Sequence, residues 1–197
     1  VIIVCNHPLG GLDGMALIDY FTGYFGCRVM FVVNDLLMAV KPLASVFLPI
    51  NKHGRQSREA ICAIDEVLKG DEPVIIFPAG LVSRQKSGNG PIADLEWKKM
   101  FVNKAVEFKR DIVPLYFDGE NSGRFYSFAR RRESMGIKFN FEMVLLPSEV
   151  FKAEGKTLRV NCGHIIPWQS LSGGRQAQDE ANAIRRMVYD LKNELQD

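Results

Sequence analysis

The chain has 197 residues, 47% of them hydrophobic and 24% charged, with a formal net charge of +2. That length and apolar content suffice for one sizeable core, so a single domain spanning 1–197 is expected; the small net charge argues against a general nucleic-acid binder. Cys5, Cys27, Cys62 and Cys162 are scattered with no Cys-x-x-Cys pair, which argues against a zinc knuckle or a disulfide framework and suits a reducing, cytoplasmic setting. No run reaches the roughly 18 apolar residues that span a bilayer, and no secretory signal is present. Membrane contact is therefore expected to be peripheral within this chain. Val1 is not an initiator methionine and enters at once a run that needs strand neighbours, so an upstream segment is expected.

In chain order, Val1 to Cys5, Arg28 to Val33, Pro73 to Phe77 and Ile112 to Phe117 read as short strands rich in β-branched and aromatic residues. Helical patterns separate them. Gly14 to Tyr24 places Met15, Ile18, Tyr20 and Phe21 at helix-like spacing, and Gln56 to Leu68 places Ile61, Ile64, Val67 and Leu68 on one face. Asp35 to Phe47 is predicted helical up to the interruption at Pro42, with Leu48-Pro49-Ile50 extended after it. Asp94 to Phe108 reads as a helix with Asp94 as N-cap and Trp97, Phe101 and Phe108 in the core. Thr157 to Ile166 reads as a late strand, and Arg175 to Leu195 as a final helix with Ala181, Ile184, Met187, Val188 and Leu191 inward. Alternating strands and helices predict an α/β fold, a largely parallel mixed sheet flanked by helices. The unbroken apolar runs predict strands covered on both faces.

Ligands of open α/β sheets bind beyond the carboxyl ends of the strands, where loops meet water. Four polar, glycine-containing segments fall at such ends: Asn6-His7 through Gly14, Asn51-Lys52-His53-Gly54-Arg55, Pro78-Ala79-Gly80-Leu81-Val82-Ser83-Arg84, and Asp118-Gly119-Glu120-Asn121-Ser122. Histidine titrates near neutrality and suits proton transfer. A nearby aspartate accepts its second ring N–H, fixes the tautomer and stabilises the imidazolium, so His7 and Asp13 are the candidate catalytic pair. No serine or cysteine nucleophile is required. Asn6, Gly10, Gly11, Pro78, Gly80 and Ser83 are candidate substrate-binding residues because they flank that pair, and Arg84 because a planar guanidinium suits phosphate or carboxylate. Lys52 and Arg55 stand between substrate binding and solvating a helix start. His53 and His164 lack such company, and neither a metal nor a resident cofactor is expected.

At these residues the chain resembles the glycerolipid, or lysophospholipid, acyltransferase family, whose signature is a His, four residues, then Asp. The blocks follow the family order over nearly the whole chain: His7 through Asp13, Pro49 to Arg55, Phe77-Pro78-Ala79-Gly80, and Ile112-Val113-Pro114-Leu115. His-Pro-x-Gly-Gly-x-Asp-Gly with Phe-Pro-Ala-Gly is similar to the haemolysin-like or ornithine/glycine-lipid acyltransferase branch. The resemblance implies transfer of a fatty acyl chain from a thioester on acyl carrier protein or coenzyme A, as co-substrate, to a lysolipid acceptor.

Two departures stand out. Five residues, not four, separate His7 from Asp13; on a regular helix one extra residue rotates a side chain by about 100°, so Gly10 and Gly11 are expected to absorb it. Ala79 replaces the family glutamate and Val82 the family arginine, residues the resemblance links to glycerol-phosphate recognition, which argues against phosphatidic-acid synthesis. In the expected mechanism His7 takes the acceptor hydroxyl proton, and backbone N–H groups near Gly10-Gly11 or Pro78 to Leu81 hold the oxyanion. The competing readings are a noncatalytic lipid or acyl-carrier binding module and a thioester hydrolase; no Gly-x-Ser-x-Gly elbow supports a serine hydrolase. Arg124, Phe125, Tyr126, Phe128 and Arg130-Arg131-Arg132 are read either as a surface for anionic lipid or acidic carrier protein, or as a solvated helix face.

Overall fold

Continuous runs of branched and aromatic residues pair into one sheet because each can bury both of its faces. A computed structural model describes the chain except residues 35–44, 51–57, 87, 138, 196 and 197. The main sheet comprises β1 (Ile2–Cys5), β2 (Met30–Asn34), β3 (Phe47–Ile50), β4 (Val74–Ile76), β7 (Ile112–Asp118) and β8 (Arg159–Cys162), in the order β3-β2-β4-β1-β7-β8. The first five are parallel, with β1 paired from Ile2↔Val74 on one side and from Ile2↔Ile112 on the other. The edge strand β8 runs antiparallel, from Leu115↔Cys162 to Asp118↔Arg159. A separate two-stranded ribbon pairs β5 (Arg84–Gln85) with β6 (Ile92–Ala93).

Side-chain alternation splits the core into two layers. Ile3, Cys5, Phe31, Ile75, Leu115 and Phe117 face α1 (Gly11–Phe25), which contributes Leu17, Ile18 and Phe21. Ile2, Val4, Val74, Ile76 and Ile112 face α2 (Arg58–Lys69), α3 (Met100–Glu107) and α6 (Ala177–Asp190). Gly14 brings α1 close to the sheet: a Cβ there would stand 2.7 Å from Phe31 Cε1. A third cluster joins Val82 to Phe125 and Tyr126 of α4 (Gly123–Ser134), with Leu146 of α5 (Leu146–Lys152) packed against it.

Several expectations require correction. Met15, Tyr20 and Met187 lie on exposed helix faces, while Leu17 and Ile184 hold the inward positions. The late strand covers only Arg159–Cys162, although Ile166 bridges back to Ile112. Phe125 and Tyr126 are core residues, not surface ones, and only Phe128 of that trio is exposed. The third helix begins at Met100, not Asp94. The predicted helix from Asp35 falls largely outside the described residues, and Phe47 belongs to β3.

Candidate acid–base site

The chain leaves β1 at Cys5 and turns at Gly10, which takes φ +84° before α1 starts at Gly11. That left-handed value favours glycine, and a Cβ at Gly10 would meet Leu146 Cδ1 at 2.8 Å and Val82 Cγ2 at 3.3 Å. The turn returns Asp13, the third residue of α1, beneath His7. His7 Nδ1 lies 3.1 Å from both Oδ1 and Oδ2 of Asp13. Asp13 is fully buried, and its carboxylate also accepts the Leu9 N–H at 2.9 Å and the Gly14 N–H at 2.7 Å. An ionised carboxylate has the acceptor capacity for all three donors, so Nδ1 is the protonated ring nitrogen and Nε2 the basic one. Phe77 stacks on the ring at 4.0 Å between centroids. Asp13 holds one edge of the ring and Phe77 one face, and the His7 side chain is 11% exposed.

A second carboxylate, read from sequence only as a helix cap, organises the same turn. Asp94 Oδ1 accepts the His7 backbone N–H at 3.1 Å and the Ser83 hydroxyl at 2.5 Å; Oδ2 accepts the Trp97 indole N–H at 2.8 Å. The Asp94 backbone is held as well, its N–H donating to the Tyr189 hydroxyl and its carbonyl accepting from Arg185. Burial raises the Asp94 pKa above its usual value, while the bonds from Ser83, His7 and Trp97 oppose the shift. The signal available in the sequence was Trp97: a buried indole N–H needs an acceptor, and Asp94 lies three residues before it. Cys5, nearest to the turn, offers no competing nucleophile, since burial first and then the charges of Asp13 and Asp94 hold its thiol protonated.

The other predicted residues take bracing positions. Asn6 spans from β1 to β7, donating to the Phe117 carbonyl at 2.9 Å and accepting its N–H at 2.7 Å. Ser83 adds a backbone N–H bond to the His7 carbonyl at 2.7 Å, so it pins the histidine at both its main chain and, through Asp94, its amide. The Pro78 carbonyl accepts from Lys98, and the Gly80 N–H donates to the Phe77 carbonyl, closing the turn after β4. Arg84 does not face an open cleft. It is buried with Glu142 and Arg132, its Nη2 2.7 Å from Glu142 Oε1, and Arg132 Nε 2.9 Å from Oε2. Burial lowers the Arg84 pKa and Glu142 counters it. Lys52 and Arg55 lie outside the described residues. A cleft of about 540 Å³ bordered by Asn6, Pro8, Ser83 and Tyr116 opens beside the turn. A groove of about 430 Å³ runs from Leu9 past the Asp118–Gly123 loop to Lys152.

A histidine braced by a buried aspartate at the carboxyl end of a parallel strand is an arrangement with the geometry proton transfer needs, on an α/β scaffold. A family model described as acyltransferase matches residues 1–197. The chain is 43% identical over 188 residues to the lyso-glycine lipid O-acyltransferase of Bacteroides thetaiotaomicron, covering 95% of this chain and 68% of that protein. It is 44% identical over 189 residues to the protein of the same description from Phocaeicola vulgatus, covering 95% and 67%. In fold it is similar to the 1-acyl-sn-glycerophosphate acyltransferase PlsC from Thermotoga maritima, with a TM-score of 0.54 at 16% identity over 97% of this chain and 66% of that one. The chain belongs to the acyltransferase family.

Proposed function

We propose that the protein transfers a fatty acyl chain from a thioester, carried on acyl carrier protein or coenzyme A, to the hydroxyl of a lysolipid, at the inner surface of a membrane. His7 Nε2 takes the hydroxyl proton as the oxygen attacks the thioester carbonyl. The tetrahedral intermediate collapses with cleavage of the C–S bond, and the imidazolium returns the proton to the departing thiolate. Asp13 holds the ring's tautomer and stabilises the imidazolium. The oxyanion falls to N–H groups at the start of α1 other than Gly14, whose N–H Asp13 already takes; such groups lack intrahelical acceptors by geometry and carry the positive end of the helix dipole. The observation that carries the reading is the contact of His7 Nδ1 with both oxygens of a carboxylate that two backbone N–H groups also fix.

The acceptor we propose is a lyso-amino-acid lipid of the glycine type, the substrate in the relatives' description. Val82 supports this, since it is fully buried against Phe125 and Tyr126 and presents no cation to a phosphate. The test incubates wild type and His7→Ala with acyl-carrier and acyl-coenzyme donors against lyso-glycine lipid and lysophosphatidate. Wild type is expected to form acylated glycine lipid and His7→Ala to lose about a thousandfold in turnover, the scale of general-base catalysis with a preorganised partner. Release of free fatty acid alone would favour the hydrolase, no turnover the binding module, and near-normal activity of His7→Ala would remove the general base.

A further inference from the structure

We propose that the outer face of α4 and the 135–151 segment is the surface by which the protein seats on an anionic lipid bilayer; this rests on the lipid-acceptor reading and names the face that would deliver the site to its substrate. Single exposed apolar residues are ordinary on a protein surface. Here they gather in a short stretch: Met135 is 60% exposed, Phe139 61%, Val144 75% and Phe151 77%. Phe139 and Phe141 rings stand 4.7 Å apart, outside the core. Phenylalanine side chains beside basic residues bury into the boundary between headgroups and acyl chains.

Charge points to the same partner. Residues 121–158 carry seven basic and four acidic side chains, a net +3 against +2 for the whole chain, so the rest of the protein is slightly acidic. Glu142 and Glu149 among the acids and Arg132 among the bases are buried. On α4 the exposed residues Arg124, Phe128, Arg131 and Met135 recur at helical spacing, alternating cations with apolar side chains along one stripe. Cations near an anionic leaflet each strengthen binding by about fivefold. An acidic carrier protein would be served by the arginines alone and would leave the exposed phenylalanines unexplained.

This face is built onto the catalytic turn. Glu142 turns inward from between Phe141 and Met143 to bind Arg84, the residue after Ser83, and Leu146 closes over Gly10. A seated protein would therefore hold the turn at a set height above the lipid, with the groove between Leu9 and Lys152 opening beside it.

Cosedimentation of the intact protein with mixed phosphatidylcholine–phosphatidylglycerol vesicles tests the surface, with pure phosphatidylcholine vesicles as control. Wild type is expected to bind the mixed vesicles and to release as salt rises. Phe139→Ser with Phe151→Ser should lower partitioning by about tenfold or more, the loss expected for two rings withdrawn from an interface. Arg124→Gln with Arg131→Gln should remove the preference for anionic vesicles. Both pairs should keep wild-type melting temperature and wild-type turnover of acceptor dissolved below its micellar concentration. Unchanged vesicle binding in both pairs, no vesicle binding by wild type, or loss confined to an acyl-carrier-protein pull-down would each overturn the proposal. His7→Ala should partition like wild type, so a failed reaction and a failed surface are read separately.

Discussion

Asparagine at position 13 preserves the shape of the side chain and changes its chemistry at one atom. The Asp13 carboxylate serves three donors, His7 Nδ1, the Leu9 N–H and the Gly14 N–H, with His7 equidistant from both oxygens. An amide has one oxygen for these three and one NH2 that none of them can accept while protonated. Whichever way the amide turns, its NH2 lies beside His7 and beside one backbone N–H. The imidazole answers by moving its proton to Nε2 so that Nδ1 can accept, which removes the lone pair meant for the acceptor hydroxyl. The orphaned backbone N–H costs about 1–3 kcal/mol of stability. Loss of the base tautomer and of the charge facing the imidazolium costs about 4 kcal/mol in the barrier, about a thousandfold in kcat/KM. The assay is product formation at saturating thioester with lyso-glycine lipid varied, beside a thermal melt on the same sample. KM should change by no more than a few-fold. Activity within tenfold of wild type in a folded Asp13→Asn protein would refute the tautomer argument.

Asp94→Asn should act through position, not charge transfer: one of the Ser83, His7 and Trp97 donors loses its acceptor, kcat falls about tenfold with KM held, and stability falls by about 1–3 kcal/mol. Its pH behaviour gives a separate readout. Burial raises the folded pKa of Asp94 above the ordinary 3.8, so between those values the folded state holds a proton the unfolded state has lost. Its contribution to stability therefore rises on acidification through that window and falls as pH climbs out of it; the melting-temperature difference between wild type and Asp94→Asn should shift in wild type's favour as pH drops, and a flat difference would contradict the shift. Glu142→Gln leaves the buried Arg84 guanidinium without its counter-charge and Arg132 with only the exposed Glu133, and should cost about 3–5 kcal/mol by denaturant unfolding, whereas replacing Arg84, Glu142 and Arg132 together with Met, Leu and Met should recover most of it. A Glu142→Gln variant as stable as wild type would show that the triad carries no such strain.

The strands were legible because burial on both faces leaves an unbroken apolar signature: four predicted strands fall within a few residues of β1, β2, β4 and β7. A carboxylate before an apolar stripe is also what an N-cap looks like, so the sequence alone starts a helix at Asp94; only its bond to His7, 87 residues earlier in the chain, reveals its other use. The composition of helix α4, dominated by Arg130, Arg131 and Arg132, points to a surface, yet Arg132 turns inward to Glu142, ten residues on. Long-range ion pairs of this kind have no periodicity to betray them. Arg84 reads as a ligand contact from sequence for the same reason: its partner is 58 residues away. The histidine and its aspartate were legible because they lie within one turn, where spacing and geometry are nearly the same information.

The extra residue between His7 and Asp13 becomes intelligible once spacing is counted from the helix, not from the histidine. Asp13 is the third residue of α1, where its carboxylate meets the Gly14 N–H of the first turn, the Leu9 N–H ahead of the helix, and the positive end of the helix dipole. The additional residue is spent before the helix, in the turn that Gly10 closes at positive φ. Gly10 has room for no side chain because Leu146 and Val82 already occupy that space. Val82 is one of the two positions where the sequence departs from the family pattern it resembles, and Leu146 belongs to the segment that Glu142 ties to Arg84. The inserted residue, the lost cation and the apolar 135–151 segment therefore meet at one point of contact, and a return to arginine at position 82 would require Phe125, Tyr126 and Leu146 to give way together.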